Sequence, residues 1–263
     1  MTAKGGYPSG CHAWQTSEVM TNNKLSLPAL EQRVSELDWV GIESGLQECG
    51  CAQAGRIVTD AECDELIAGY DSEEMFRSRV IMARHGFGRG EYRYYKYPLP
   101  GLIADLRAAL YPHLAAVANR WEEQLGSNRT FPATHDPYLR QCHRSGQSLP
   151  TPLLLKYGEG DYNCLHRDLY GEMVFPLQVT ILLSAPGEDF TGGDFVLTEQ
   201  RPRMQSRVEV VPLMQGEAVI FAVNERPVRG TQGVYRVAMR HGVSRIRSGQ
   251  RFTLGIIFHD AKK

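Results

Sequence analysis

In Leu165-His166-Arg167-Asp168 a histidine and an aspartate stand two positions apart. On an extended chain side chains alternate between faces, so both point the same way and can share one metal ion. Such a triplet is common by chance, and two ligands do not make a site. His241, which follows the β-rich run Tyr235 to Arg240, supplies a third. Two imidazoles and one carboxylate on one side of an ion leave its remaining positions open, as a non-haem iron(II) centre requires to admit oxygen and substrate. Ten residues beyond His241, Arg251 opens the segment Arg-Phe-Thr-Leu-Gly-Ile-Ile-Phe. Alternation puts Phe252, Leu254, Ile256 and Phe258 on one face and Arg251 and Thr253 on the other. An arginine fixed on a strand beside a metal can grip a carboxylate with two parallel hydrogen bonds, which suits the far end of a dicarboxylate co-substrate.

These residues need strands to hold them, and from Thr151 onward the texture is that of short strands. The runs Pro152 to Tyr157, Phe175 to Leu183, Phe195 to Thr198, Val208 to Pro212, Ala218 to Val223, Tyr235 to His241 and Phe252 to Phe258 are separated by Gly, Pro and Asp turns, a pattern that predicts a β-sandwich or barrel. The preceding region reads as helical. Leu27, Leu30, Val34, Leu37, Ile42 and Leu46 recur at helical spacing. Thr59-Asp60-Ala61-Glu62 has the form of a capping box. A long helix is expected from about Leu102 to Leu125, stopped by Gly126 and bent at Pro112, and Asp136-Pro137 reads as an N-cap followed by proline at the first helical position. The expected organisation is a loose arm over 1–25, a mainly helical region over 26–148 with a substrate lid at 77–97, and a catalytic domain over 149–263.

Composition excludes several classes. With 42% hydrophobic residues in 263, the chain can bury a sizeable core and is not expected to be disordered. No apolar run is long enough to span a bilayer, and the first residues lack an export signal, so a cytoplasmic location is expected, with no membrane association and no obligate protein partner evident. The six cysteines are irregularly spaced and read as thiols; Cys49-Gly50-Cys51 has no second pair with which to complete a zinc site. The net charge of −1 hides an asymmetry: residues 201–251 carry 10 Arg against 3 Glu, whereas residues 1–76 carry 13 Asp and Glu against 4 Lys and Arg. The basic half either solvates strand edges or offers a surface to phosphate or carboxylate.

The stretch Arg84 to Tyr97 interleaves basic and aromatic residues, including Tyr92, Arg93 and Tyr94. Two uses fit. The tyrosines stack on bases while the arginines meet phosphates, as on single-strand nucleic-acid surfaces, or the tyrosines pack this segment against the barrel and the arginines are solvated. Cys164, on the His166 face by alternation, is a candidate pocket wall. Asp194, after Gly192-Gly193, either orients a ligand or ends a turn. His85, His113, His135, His143 and the pair His259-Asp260 have no partner at ligand spacing and are expected to be structural or on the surface.

The order Tyr157, His166-x-Asp168, Gly192-Gly193-Asp194, His241 and Arg251 resembles the 2-oxoglutarate/iron(II) dioxygenases, and the spacing of His241 to Arg251 resembles the prolyl-4-hydroxylase type. The Tyr157-to-Asp168 stretch is similar also to the AlkB-type nucleic-acid dioxygenases. Phe76-Arg77-Ser78-Arg79, Tyr97-Pro98-Leu99-Pro100, Pro150-Thr151-Pro152, Phe190-Thr191-Gly192-Gly193 and Arg240 to Ser244 look like prokaryotic oxygenases proposed to act on alkylated nucleic acid. One departure is that the AlkB type carries further arginines along its last strand, whereas Phe-Thr-Leu-Gly follows Arg251 here. The resemblance implies an α+β protein with a double-stranded β-helix (jelly-roll, cupin-like) core and a helical N-terminal extension. It further implies Fe(II) on His166, Asp168 and His241, 2-oxoglutarate held by Arg251 with a hydrogen bond from Tyr157, O2 as co-substrate and ascorbate as an auxiliary reductant. Decarboxylation of 2-oxoglutarate would be coupled to C–H hydroxylation. The leading expectation is oxidative dealkylation of single-stranded nucleic acid, a DNA-repair activity, with Tyr92, Arg93 and Tyr94 meeting the substrate. The alternatives are a prolyl, other protein or small-molecule hydroxylase, or a non-catalytic metal-binding β-barrel.

Overall fold

The alternation read around Arg251 becomes the middle of a seven-stranded antiparallel sheet in a computed structural model that describes residues 29–262. The expected arm over 1–25 lies outside the described residues. In spatial order the strands are Cys51–Arg56, Glu217–Ala222, Leu177–Leu182, Arg251–Ile256, Leu153–Tyr157, Glu91–Tyr95 and Phe76–Ile81. The helix Gly101–Gln124 backs the central strand, and its Ile103, Leu106, Leu110 and Leu114 join one core cluster with Phe252, Leu254 and Ile256. Thr253 and Gly255, on the opposite face, line a cavity.

The far wall of that cavity is a second antiparallel sheet, in the order Arg207–Val211, Phe195–Gln200, Gly233–Val243, Tyr162–His166 and Gly88–Arg89, with Glu225–Gly230 forming a hairpin onto Gly233–Val243. Two facing sheets with the site between them make the double-stranded β-helix expected above.

Helix positions follow local chemistry. Asp38, whose side chain accepts from the Gly41 amide at 2.9 Å, starts Trp39–Cys49 and splits the periodic run into two helices, Leu30–Ser35 being the first. The Thr59/Glu62 capping box opens Asp60–Ala68 with both of its reciprocal hydrogen bonds. Pro112 sits inside one continuous helix rather than dividing it. The helix expected to start behind Asp136 spans His135–Arg144 instead, with Thr134 at the N-cap. His135 is buried there with Nε2 2.8 Å from the Phe258 carbonyl, and this contact draws it into the helix.

The region 26–148 is less helical than expected, because Cys51–Arg56, Phe76–Ile81 and Glu91–Tyr95 are strands of the larger sheet. Cys51–Arg56 carries no β-branched or aromatic residue and is held by its register with Glu217–Ala222, not by propensity. The segment expected to be a lid is two strands and a tip. The tip is pinned: Gly88 and Arg89 pair with Asn163 and Tyr162, and the Phe87 carbonyl accepts from the Cys164 amide at 2.9 Å. Gly88 has φ +126°, and a Cβ there would collide with the Tyr162 carbonyl oxygen, so glycine is what lets the tip reach the second sheet.

Candidate metal centre

His241 lies directly across from His166 in the ladder between Gly233–Val243 and Tyr162–His166, with ring centroids 4.2 Å apart. Asp168 lies just past the end of that strand. Its Oδ1 is 3.5 Å from His166 Nε2 and its Oδ2 3.4 Å from His241 Nε2. One donor atom from each of the three lies within 4.8 Å of the others, and this is the one such cluster among the described residues.

The protonation states suit a cation. The Cys164 carbonyl, which can only accept, lies 2.8 Å from His166 Nδ1; the proton therefore sits on Nδ1 and the Nε2 lone pair faces the cluster. Burial and the neighbouring His166 push His241 below its ordinary value, towards the neutral ligand form. Burial alone would raise the Asp168 carboxyl, but His241, His166 and the Tyr170 hydroxyl together hold it well below the carboxylate range. Two imidazoles around an ionised carboxylate form the donor set of an iron(II) site with open positions.

Arg251 is wholly buried, opposite Tyr157 in the central ladder. Its Nε has no hydrogen-bond partner, and Nη1 reaches just the Thr253 hydroxyl at 3.4 Å. The guanidinium carbon lies 5.8 Å from the ring centroids of Tyr157 and of Phe190. Burial lowers its pKa to about 10, so it remains charged near neutrality. Asp194 acts on it through its field without forming an ion pair, and a buried cation left without a paired anion is unstable unless a ligand supplies one. The distal carboxylate of 2-oxoglutarate fits that requirement. Gly193, at φ +66°, packs on this arginine, and a Cβ there would stand 2.9 Å from Arg251 Cδ. Asp194 faces away from any ligand role: its amide and carboxylate both bond Ser244 Oγ, locking the turn.

Beside the triad is a cavity of about 200 Å³ whose walls include Tyr157, Asn163, Gln178, Thr180 and Thr253; Arg251 does not line it but lies behind Tyr157, its ladder partner. Asn163 Nδ2 donates to the Tyr157 hydroxyl at 3.3 Å.

Of the basic-aromatic residues, Tyr92 lines the cavity. Tyr94 is buried behind it, its hydroxyl donating to the Tyr170 hydroxyl at 3.0 Å. Arg93 does not join them. It occupies the other face of the strand, over the Tyr70 ring at 4.8 Å and 3.6 Å from Asp71, because neighbours on a strand point to opposite sides. Cys164 is likewise absent from the wall. The ladder slips between His241 and Val243, so Asn163 and His166, three apart, both face inward.

Sequence reading missed Tyr170, whose hydroxyl donates to Asp168 Oδ1 at 2.7 Å. The signal was available, since Tyr170 continues the alternation of His166 and Asp168. His259 and Asp260 are internal braces: Asp260 binds Arg107 at 3.0 Å and the Tyr97 hydroxyl and His143 Nε2 at 2.8 Å each, all away from the cavity.

Residues 90–261 match the Oxygenase-NA family, described as "Oxygenase, catalysing oxidative methylation of damaged DNA". An uncharacterized protein of Mycobacterium tuberculosis is 51% identical over 164 residues, which is 62% of this chain and 70% of that protein. Among solved structures, a 2OG-Fe(II) oxygenase-family oxidoreductase from Burkholderia pseudomallei superposes with a TM-score of 0.51 at 15% identity, over 85% of this chain and 92% of the other. A Trichoplax adhaerens prolyl hydroxylase in complex with a hypoxia-inducible-factor oxygen degradation domain peptide does so with a TM-score of 0.51 at 14% identity, over 88% and 92%. At these identities the structures speak for the fold alone, and the match over 90–261 speaks for the family. The chain belongs to that oxygenase family, has the fold of the 2OG-Fe(II) oxygenases, and carries a His-Asp-His cluster able to hold a metal ion.

Proposed function

We propose that His166, Asp168 and His241 hold the iron, that Arg251 and Tyr157 hold 2-oxoglutarate, and that the substrate is alkylated single-stranded nucleic acid. The observation that carries the site assignment is the buried Arg251 guanidinium, which has no carboxylate partner and an unbonded Nε, on a strand whose Thr253 lines the same cavity as the triad. The bound iron, with 2-oxoglutarate and O2, supplies the oxidising power for C–H hydroxylation.

The chain's own residues bind, orient and exclude water. Arg251 fixes the co-substrate's far carboxylate, and the Tyr157 hydroxyl, steadied by Asn163, donates to it. Leu153, Leu155 and Phe195 keep the cavity apolar around the reacting carbon. On an N-methyl group the sum is N–CH3 + O2 + 2-oxoglutarate → N–CH2OH + succinate + CO2, after which the hemiaminal releases formaldehyde and leaves N–H. The family description supports a nucleic-acid substrate, as do Tyr92 and the exposed Phe87 at the cavity, which offer ring faces for a base. The activity is then DNA repair, exercised in the cytoplasm.

The test is formaldehyde and succinate release from N-methylated single-stranded oligonucleotides by the iron-loaded enzyme, alongside proline peptides. Formaldehyde is expected in step with succinate, and Arg251→Gln should raise the KM for 2-oxoglutarate by about tenfold or more through loss of a charge-assisted pair. Succinate formed with hydroxylated peptide and no formaldehyde would overturn the nucleic-acid reading.

A further inference from the structure

Arg167 stands between two triad residues, His166 and Asp168, and lines the cavity. Its Nε is shielded from solvent and has no hydrogen-bond partner, and the side chain makes no ion pair with any described residue. This sets it apart from the other arginines that are not exposed. Arg33 pairs with Glu62, Arg93 with Asp71, Arg107 with Asp260, and Arg201 and Arg226 with Glu199, while Arg77 donates to the Pro150 carbonyl. Two guanidiniums below full exposure are left without a carboxylate or carbonyl partner among the described residues, Arg251 and Arg167. The first faces the co-substrate. The second shares the cavity wall with Phe87, Tyr92 and Leu169, and no carboxylate but the engaged Asp168 lines that cavity.

We propose that Arg167 binds a phosphodiester of the substrate strand and thereby sets which nucleotide reaches the metal. This rests on the nucleic-acid reading above. A guanidinium presents paired N–H donors that match two phosphate oxygens, and no side chain of the cavity forms an ion pair with it. The main chain of Arg167 is fixed on both sides by residues of the triad, so a phosphate held by it has a set distance from the reacting position. The ring faces of Phe87 and Tyr92 tolerate any base, whereas the phosphate contact gives register without reading sequence.

The experiment measures binding of a fluorescent, N-methylated single-stranded oligonucleotide to the anaerobic Fe(II)/2-oxoglutarate enzyme across a salt series. Removing one phosphate contact should lower the slope of log K against log salt by about 0.7, so Arg167→Gln should show that drop together with a roughly tenfold weaker complex at physiological salt. Arg167→Lys, which keeps the charge without the fork, should keep the slope and lose part of the affinity. Arg56→Gln makes the same change in net charge at an exposed site paired with Asp60 and should leave the slope unaltered. In a second arm, single methylphosphonate linkages are walked along the oligonucleotide. One position near the methylated base should weaken wild-type binding and have no effect on Arg167→Gln. This arm also uses the wild type alone, so it stands even if the variant folds poorly. Wild-type binding indifferent to every linkage, or an unchanged slope in Arg167→Gln, would overturn the Arg167 assignment and leave the nucleic-acid reading intact. No binding to and no formaldehyde from any oligonucleotide would overturn that reading and the assignment with it.

Discussion

Replacing Tyr170 with Phe removes one oxygen and keeps the ring, which is tilted against His259 with centroids 6.0 Å apart. The lost oxygen is the donor 2.7 Å from Asp168 Oδ1. A hydrogen bond to a charged group contributes about 1.5–3 kcal/mol, but this one exists before and after metal binding, so most of that energy cancels. What remains is orientation. Without the hydroxyl the carboxylate can rotate off the line between His166 and His241, and residues that orient metal ligands typically matter by about 10- to 100-fold in affinity. The expectation is the lower end, about tenfold weaker iron(II) binding, measured anaerobically by chelator competition. Tyr94→Phe leaves the Tyr170–Asp168 bond in place and should cost about threefold or less. A second readout separates positioning from stability. The Tyr170 hydroxyl helps hold the Asp168 carboxyl low, so its removal lets that carboxyl protonate at higher pH, and the pH at which iron dissociates should move upward. Iron affinity within twofold of wild type and an unmoved pH midpoint, in a folded Tyr170→Phe protein, would refute the reasoning.

Asp260→Asn leaves Arg107 buried beside a neutral group, and urea unfolding should show a loss of about 3–5 kcal/mol. Gly193→Ala pushes a methyl against Arg251 and Ile246 in a left-handed conformation; the KM for 2-oxoglutarate should rise several-fold while iron affinity holds, and a shift in iron affinity alone would contradict the placement. Burial lowers His135 to about 3 and His259 to about 4. Both folded values lie below the unfolded value of about 6.5, so stability is full above that pH. It falls on acidification because the unfolded chain takes up protons that the native one refuses. Two such groups approach a slope of about 2.7 kcal/mol per pH unit well below 6.5, which integrates to about 3 kcal/mol between pH 6.5 and 5; urea midpoints that stay flat across that window would exclude it.

The parts of the site that sit on regular strands were legible. Alternation placed Arg251 and Thr253 on one face and Phe252, Leu254 and Ile256 on the other; the structure puts Thr253 on the cavity wall, Arg251 buried beside the lining Tyr157, and the three apolar residues in the core under the helix. The same rule misplaced Cys164, because a ladder slip is a tertiary event that no local pattern announces. Arg93 was grouped with Tyr92 and Tyr94 on composition, although alternation predicts the separation seen. Cys51–Arg56 was invisible because its strand character comes from a partner more than 160 residues away, and Tyr170 was overlooked through attention to ligands at the expense of what orients them.

The contact at Gly88 has a consequence for admission to the cavity. With the tip tied to Tyr162 and Asn163, one corner of the mouth is riveted across both sheets and cannot swing aside to receive a bulky guest. Entry is left to the rest of the rim, whose residues include the exposed Leu169. A mouth riveted in this way works as a gauge instead of a jaw: it passes a group slim enough to be threaded in and turns away one still embedded in a wider structure. Selection then takes place at the threshold, before any bond is touched.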